Sequence, residues 1–188
     1  MRRDIEFRSK GTICRGWFYT PDLTRAGRGF PAIVMAHGFS AVKEMRLDRF
    51  AEAFAEAGLA SLVFDYRGLG ASDGMPRQDL DPHEQIEDYR NAISYARSLP
   101  EVDRDRIGIW GTSYSGGHVL MVAAFDKRVK AVVSQVPLID GWEVMGDEVP
   151  ALMVQRQITE REQIYSGGIA SFCRETASAA EKWHKLSG

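Results

Sequence analysis

The residues best suited to chemistry in this sequence are Gly111-Thr112-Ser113-Tyr114-Ser115-Gly116-Gly117. They stand between a short apolar run, Ile107-Gly108-Ile109-Trp110, and a stretch containing Val119, Leu120, Val122, Ala123 and Phe125 that suits a helix. A serine at a sharp turn from strand to helix holds its Oγ exposed above the sheet, where it can attack a carbonyl carbon. The flanking residues must be small because backbone segments close in on one another there. Gly111 and Ser115 fill the flanking places. Ser115 departs from the glycine of the Gly-x-Ser-x-Gly pattern, but serine is small enough to fit. The competing explanation is a glycine-rich turn with an incidental serine, and the strand-turn-helix context favours Ser113 as a nucleophile.

Attack on a carbonyl builds charge on its oxygen, so donors must be aimed at that point, usually one N–H just after the nucleophile and one from the loop after an earlier strand. Tyr114 N–H is the first candidate. His37-Gly38-Phe39-Ser40 leaves the apolar run Ala32-Ile33-Val34-Met35-Ala36. In a doubly wound sheet that run lies beside the nucleophile strand, which makes Phe39 N–H the second candidate.

The elements that must position these groups alternate regularly. Ile5-Glu6-Phe7 and Thr12 to Tyr19 flank Ser9-Lys10-Gly11 and read as an opening antiparallel hairpin. Leu47, Phe50, Ala51, Phe54 and Ala57 keep to one helical face, and Gly58 is a natural stop. A strand follows at Ala60 to Phe64. Asp81-Pro82-His83-Glu84 supplies a capping acid, a first-turn proline and a glutamate three residues after the cap, ahead of Ile86, Tyr89, Ile93 and Ala96. Ala131-Val132-Val133 is a further strand. Strands separated by helical crossovers predict an α/β fold with a mostly parallel, doubly wound sheet covered on both faces.

Together, His37-Gly38-Phe39, Asp65-Tyr66-Arg67-Gly68-Leu69-Gly70-Ala71-Ser72 and the Ser113 segment resemble successive motifs of the α/β-hydrolase superfamily, in order and in spacing, over about three-quarters of the chain. The nearest branches are the dienelactone-hydrolase-like and Xaa-Pro dipeptidyl-peptidase-like enzymes. The resemblance implies cleavage of esters, lactones or peptides without a cofactor. The glycines from Gly68 to Gly74 do not have dinucleotide-fingerprint spacing, and Met75-Pro76 follows where a helix should open; they read as a structural turn beside the site.

The superfamily places an acid and then a histidine after the serine. His37 belongs to the oxyanion loop, His83 to a helix's first turn, and His118 follows Ser113 too closely. His184 is left as the candidate base, against a packed or solvated histidine. Asp140, just beyond the Ala131 strand, is the candidate acid, against a loop or helix-cap aspartate. The chain thus divides into a core at 1–141 and a helical cap-like or terminal segment at 142–188. Val154, Ile158 and Tyr165 form one helix-period stripe of that segment, and Ile169, Phe172, Cys173, Thr176, Ala180 and Trp183 another. Ala151-Leu152-Met153-Val154 is alternatively a penultimate strand. Without the superfamily's last strands, the Ala131 strand would be an open edge, to be covered by the C-terminal helices, by a homodimer partner, or by residues missing from a shortened chain.

The 188 residues carry a net charge of −2 with no basic cluster, which gives no reason to expect a nucleic-acid or membrane partner and leaves a small-molecule substrate. No apolar run reaches spanning length and no signal h-region follows Met1, so the cytoplasm is the default location. Cys14 and Cys173 are far apart and lack ligand spacing, so neither a disulfide nor a metal is expected. The leading expectation is a serine hydrolase of ester, thioester or related acyl bonds. The alternatives are a noncatalytic or truncated binding module of the same fold, and a peptidase.

Overall fold

Alternating burial shapes the N-terminal hairpin in the computed structural model, which describes residues 1–22, 29–141 and 151–168. Strand β1 (Arg2–Ser9) buries Ile5, Phe7 and Ser9 and exposes the residues between them. It pairs antiparallel with β2 (Thr12–Tyr19) across a two-residue turn in which Lys10 and Gly11 both have positive φ, the conformation that matches the twist of paired strands.

β2 pairs antiparallel with β4 (Ala60–Phe64), all five residues of which are buried. A methyl group on Gly16 would lie 2.2 Å from the Val63 carbonyl oxygen, so only glycine lets these two strands approach. From β4 onward the sheet is parallel through β3 (Phe30–Ala36), β5 (Val102–Thr112) and β6 (Val129–Gln135), giving the order β1-β2-β4-β3-β5-β6. β3 lies directly beside β5, as the expected pairing of oxyanion loop and nucleophile requires.

The crossovers cover both faces. On one face, α1 (Leu47–Glu56) packs Leu47 and Ala51 against Tyr19, Met35, Val63 and Trp110. On the other, α2 (Pro82–Ser98) and α3 (Tyr114–Phe125) bury Tyr89, Ile93, Val119 and Val122 against Val34, Leu62, Phe64 and Ile109. Each such large side chain removed from water contributes about 1.5–3 kcal/mol to holding the layers together. The α2 cap is the expected one: Asp81 accepts from His83 N–H at 2.7 Å and Glu84 N–H at 3.1 Å. Glu84 does not complete a reciprocal box; its carboxylate pairs with Arg67 at 3.0 Å.

One boundary differs from that read in the sequence, and one choice between alternatives falls to the helical reading. β5 begins at Val102, not Ile107: Val102 pairs with Phe30, the register then shifts, and Ile107 resumes opposite Ala32. Ala151-Leu152-Met153-Val154 opens a helix, α4 (Ala151–Tyr165), and not a strand. Among the described residues β6 is an edge strand, with Val132 and Val133 exposed. Cys14 is buried, whereas the second helical stripe, with Cys173 and His184, lies outside the described residues. No described helix is long and apolar enough to cross a membrane, and no group of three potential metal ligands occurs among the described residues.

Candidate active site

Ser113 caps α3 at the end of β5 with φ 56° and ψ −115°, a backbone conformation that costs a non-glycine residue on the order of 1–3 kcal/mol. Hydrogen bonds from outside the turn hold it there. Ser113 N–H donates to the Gln135 carbonyl at 2.9 Å, and its own carbonyl accepts from Leu138 N–H at 2.9 Å and Gly117 N–H at 3.2 Å. The small residues are required by contact. A methyl group on Gly111 would lie 2.3 Å from the Ser115 carbonyl oxygen, on Gly116 2.9 Å from Pro137 Cα, and on Gly117 2.3 Å from the Leu138 carbonyl oxygen.

Ser115, the departure from the glycine pattern, has a specific place. It is fully buried, its Oγ donates to the His37 carbonyl at 2.5 Å, and it shares a short hydrogen bond with the Tyr66 hydroxyl. One small side chain therefore ties the Ser113 turn to the loops following β3 and β4.

The loop after β3 runs against Ser113: a methyl group on Gly38 would lie 3.1 Å from Ser113 Cβ and 3.6 Å from its Oγ. The loop then turns, with Ala41 N–H bonded to the Gly38 carbonyl at 3.2 Å and Ser40 at φ 51°. That turn's hydrogen bond uses the amide of Ala41 and not that of Phe39. Tyr114 N–H is at the first position of α3, where amides lie outside the helix's own ladder and the helix dipole favours negative charge. The half-exposed Phe39 ring packs edge-to-face on Tyr114 with centroids 5.4 Å apart, so the two candidate donor residues also form an aromatic wall.

The described histidines occupy the places expected of them. His37 is buried, with Nδ1 3.1 Å from the Gly38 carbonyl, and burial lowers its pKa against the pull of Asp65. His118 is buried in α3, its Nε2 3.1 Å from Gln85 Oε1, and burial pushes its pKa down to about 4. His83 sits exposed in the first turn of α2. Among the described residues none of the three hydrogen-bonds Ser113 Oγ. Asp140 is exposed in the segment after β6, and His184 lies outside the described residues.

Sequence reasoning missed the ionic core behind the loop after β3. Asp65, at the end of β4, is fully buried and accepts from Lys43 N–H at 2.7 Å, Lys43 Nζ at 2.6 Å and Ala71 N–H at 2.9 Å. Lys43 also reaches Glu44 at 2.7 Å and stands 5.0 Å from the centre of the Trp17 ring. Burial alone would depress the Lys43 ammonium, but Asp65 and Glu44 outweigh it and hold its pKa above the ordinary lysine value. Gly70 was a signal that could have been used, because a methyl group there would lie 2.2 Å from Asp65 Oδ2.

A strained serine between a parallel strand and a helix, faced by a glycine-bearing loop from the adjacent strand, defines an α/β-hydrolase core. The chain belongs to the X-Pro dipeptidyl-peptidase (S15) family, whose profile matches residues 17–167. It is 50% identical over 139 residues to quorum-quenching protein AidA of Acinetobacter baumannii, a match covering 74% of this chain and 45% of AidA. It is 46% identical over 140 residues to the thiohydrolase aneE of Aspergillus aculeatus, covering 74% and 43% of the two chains. The crystal structure of the α/β hydrolase GrgF from Penicillium sp. sh18 superposes with a TM-score of 0.79 at 31% identity, over all of this chain and 67% of that one. The chain spans under half the length of both curated relatives.

Proposed function

We propose that this chain carries the nucleophile and oxyanion hole of a serine hydrolase acting on ester or thioester acyl bonds. The observation that carries the reading is the positive-φ turn at Ser113, pressed against Gly38 at the mouth of the oxyanion loop. Ser113 Oγ attacks the acyl carbon and passes its proton to a histidine, while Phe39 and Tyr114 N–H groups stabilise the oxyanion. Collapse of the tetrahedral intermediate expels the alcohol or thiol, which takes that proton, and water then releases the acyl group from Ser113. No step calls for a metal or an organic cofactor. Asp140 and His184 are the acid and base candidates within this sequence.

The aromatic wall of half-exposed Phe39 and part-buried Tyr114 favours a small-molecule substrate with an apolar acyl group, and a relative named a thiohydrolase agrees with that class. The family's description instead favours a peptidase. Both readings share Ser113 and differ in the leaving group, so competing hydrolysis of an acyl thioester and an Xaa-Pro amide separates them.

The test is covalent labelling of the full-length protein by a fluorophosphonate, followed by peptide mapping. Stoichiometric modification of Ser113, absent from Ser113→Ala, is the expected result. Failure of the folded protein to label would overturn the reading in favour of a noncatalytic binding module. Repeating the labelling with His184→Ala decides between His184 and a base supplied from elsewhere.

A further inference from the structure

The oxyanion loop is anchored on both sides of Phe39. Upstream, the His37 carbonyl accepts from Ser115 Oγ at 2.5 Å, which ties the loop's start to the nucleophile turn. Downstream, both the backbone and the side chain of Lys43 are bonded to Asp65, at 2.7 and 2.6 Å. Asp65 is itself fixed by Ala71 N–H at 2.9 Å, and its backbone carbonyl accepts from Ser72 Oγ at 2.6 Å. The ammonium is enclosed by Asp65, Glu44 and the Trp17 ring, and only 3% of Lys43 is exposed.

Stability alone is a poor explanation for this ion pair. Desolvating two charges offsets most of their attraction, and a well-packed apolar pair of similar volume is often as stable. What the charged pair adds is direction: two hydrogen bonds from residue 43 to a carboxylate that Ala71 N–H also holds fix the position of residue 43 relative to β4. The three residues between His37 and Ala41 include the Gly38 approach to Ser113, the turn and Phe39, so a displacement at Lys43 is passed to the Phe39 amide.

We propose that Lys43 and Asp65 are a positioning pair that holds the Phe39 N–H on the developing oxyanion, acting through the loop and touching no substrate. The inference rests on the role assigned above to Phe39. It makes a buried lysine, four residues beyond Phe39, a determinant of the acylation rate.

The experiment uses the full-length protein and the double variant Lys43→Met/Asp65→Asn, which removes both charges at nearly constant volume and leaves neither uncompensated. Lys43→Met alone is the harsher variant, because it strands the buried carboxylate. The inactivation constant and the binding constant of a fluorophosphonate at Ser113 are measured well below each melting temperature. Asp81→Ala serves as a control that weakens the fold at the α2 cap, away from the loop. Deuterium exchange of the peptide spanning 37–46 is followed in every variant.

Loss of an oxyanion donor costs on the order of 10²–10³ in rate, and a displaced donor somewhat less. The expected result is a fall in the inactivation constant of roughly 30-fold or more in the double variant, scaled from those donor losses. The binding constant stays unchanged, Asp81→Ala inactivates at the wild-type rate, and exchange is faster within 37–46. A double variant that inactivates at the wild-type rate despite a lowered melting temperature overturns the proposal and makes the pair purely structural. If the wild type itself does not label, the serine-hydrolase reading fails, and the positioning pair is judged by exchange alone: unchanged protection of 37–46 in the double variant overturns it, and faster exchange confined to that segment supports it.

Discussion

Ser115→Gly would give the Ser113 turn the literal Gly-x-Ser-x-Gly pattern, yet the structure predicts a less stable protein. The deletion leaves the buried Tyr66 hydroxyl without Ser115 and removes the donor to the His37 carbonyl. An orphaned buried polar group costs about 1–3 kcal/mol. Glycine in a helix adds roughly 0.5–1 kcal/mol, and less in a first turn. The combined loss is about 2–4 kcal/mol, a large part of the total stability of an ordinary domain. Urea unfolding at neutral pH measures it, with the m-value held constant as evidence that the unfolded state has not changed. A second arm isolates the cause: in a Tyr66→Phe background the hydroxyl is absent, so the same substitution should cost about 1–2 kcal/mol less. The reasoning is refuted if Ser115→Gly costs under about 0.5 kcal/mol, or if the cost is the same in both backgrounds.

Two other predictions concern the same core. Gly111→Ala places a methyl group 2.3 Å from the Ser115 carbonyl oxygen, a backbone atom that cannot swing away. It should cost at least about 1–3 kcal/mol by urea unfolding and abolish Ser113 labelling, and full labelling would show that the turn accommodates the methyl group. His118 has its pKa lowered by burial to about 4 from an ordinary value near 6.5, so the folded state binds its proton more weakly than the unfolded chain does. Its contribution is therefore fully present above pH 6.5 and is lost as pH falls towards 4, by about 3 kcal/mol. His118→Gln should flatten that part of the stability-against-pH curve, and an unchanged slope would rule out His118 as its source.

Much of the site's frame was legible because it depends on local pattern. The apolar run before Ser113, the small residues around it and the helical stretch after it describe a strand, a turn and a helix, and β3 beside β5 follows from crossover topology. The Asp81 cap was readable for the same reason, since its donors lie two and three residues away. The start of β5 was not readable, because Asp103, Arg104, Asp105 and Arg106 stand mostly exposed beyond the core and carry no burial period. Lys43 and Asp65 look like ordinary surface charges in the sequence. They are 22 residues apart, and only the neighbouring positions of β3 and β4 bring them together. Ser115 was read as merely tolerable, since nothing local reveals that Tyr66 and the His37 carbonyl converge on it.

The bonds between the Ser113 backbone and the segment Gln135–Leu138 also bear on the order in which a ribosome delivers this chain. Ser113 emerges with its flanking strand and helix, but the acceptor at Gln135, the last residue of β6, and the donor at Leu138, just beyond it, come more than twenty residues later. Until then the positive-φ conformation of Ser113 has the Gly117 N–H bond to its carbonyl but lacks the two partners that lie farther along the chain. The Ser113 turn therefore gains its two long-range hydrogen bonds only once β6 and the residues just after it have been made, and a nascent chain stopped before Leu138 would lack the Leu138 bond to the Ser113 carbonyl.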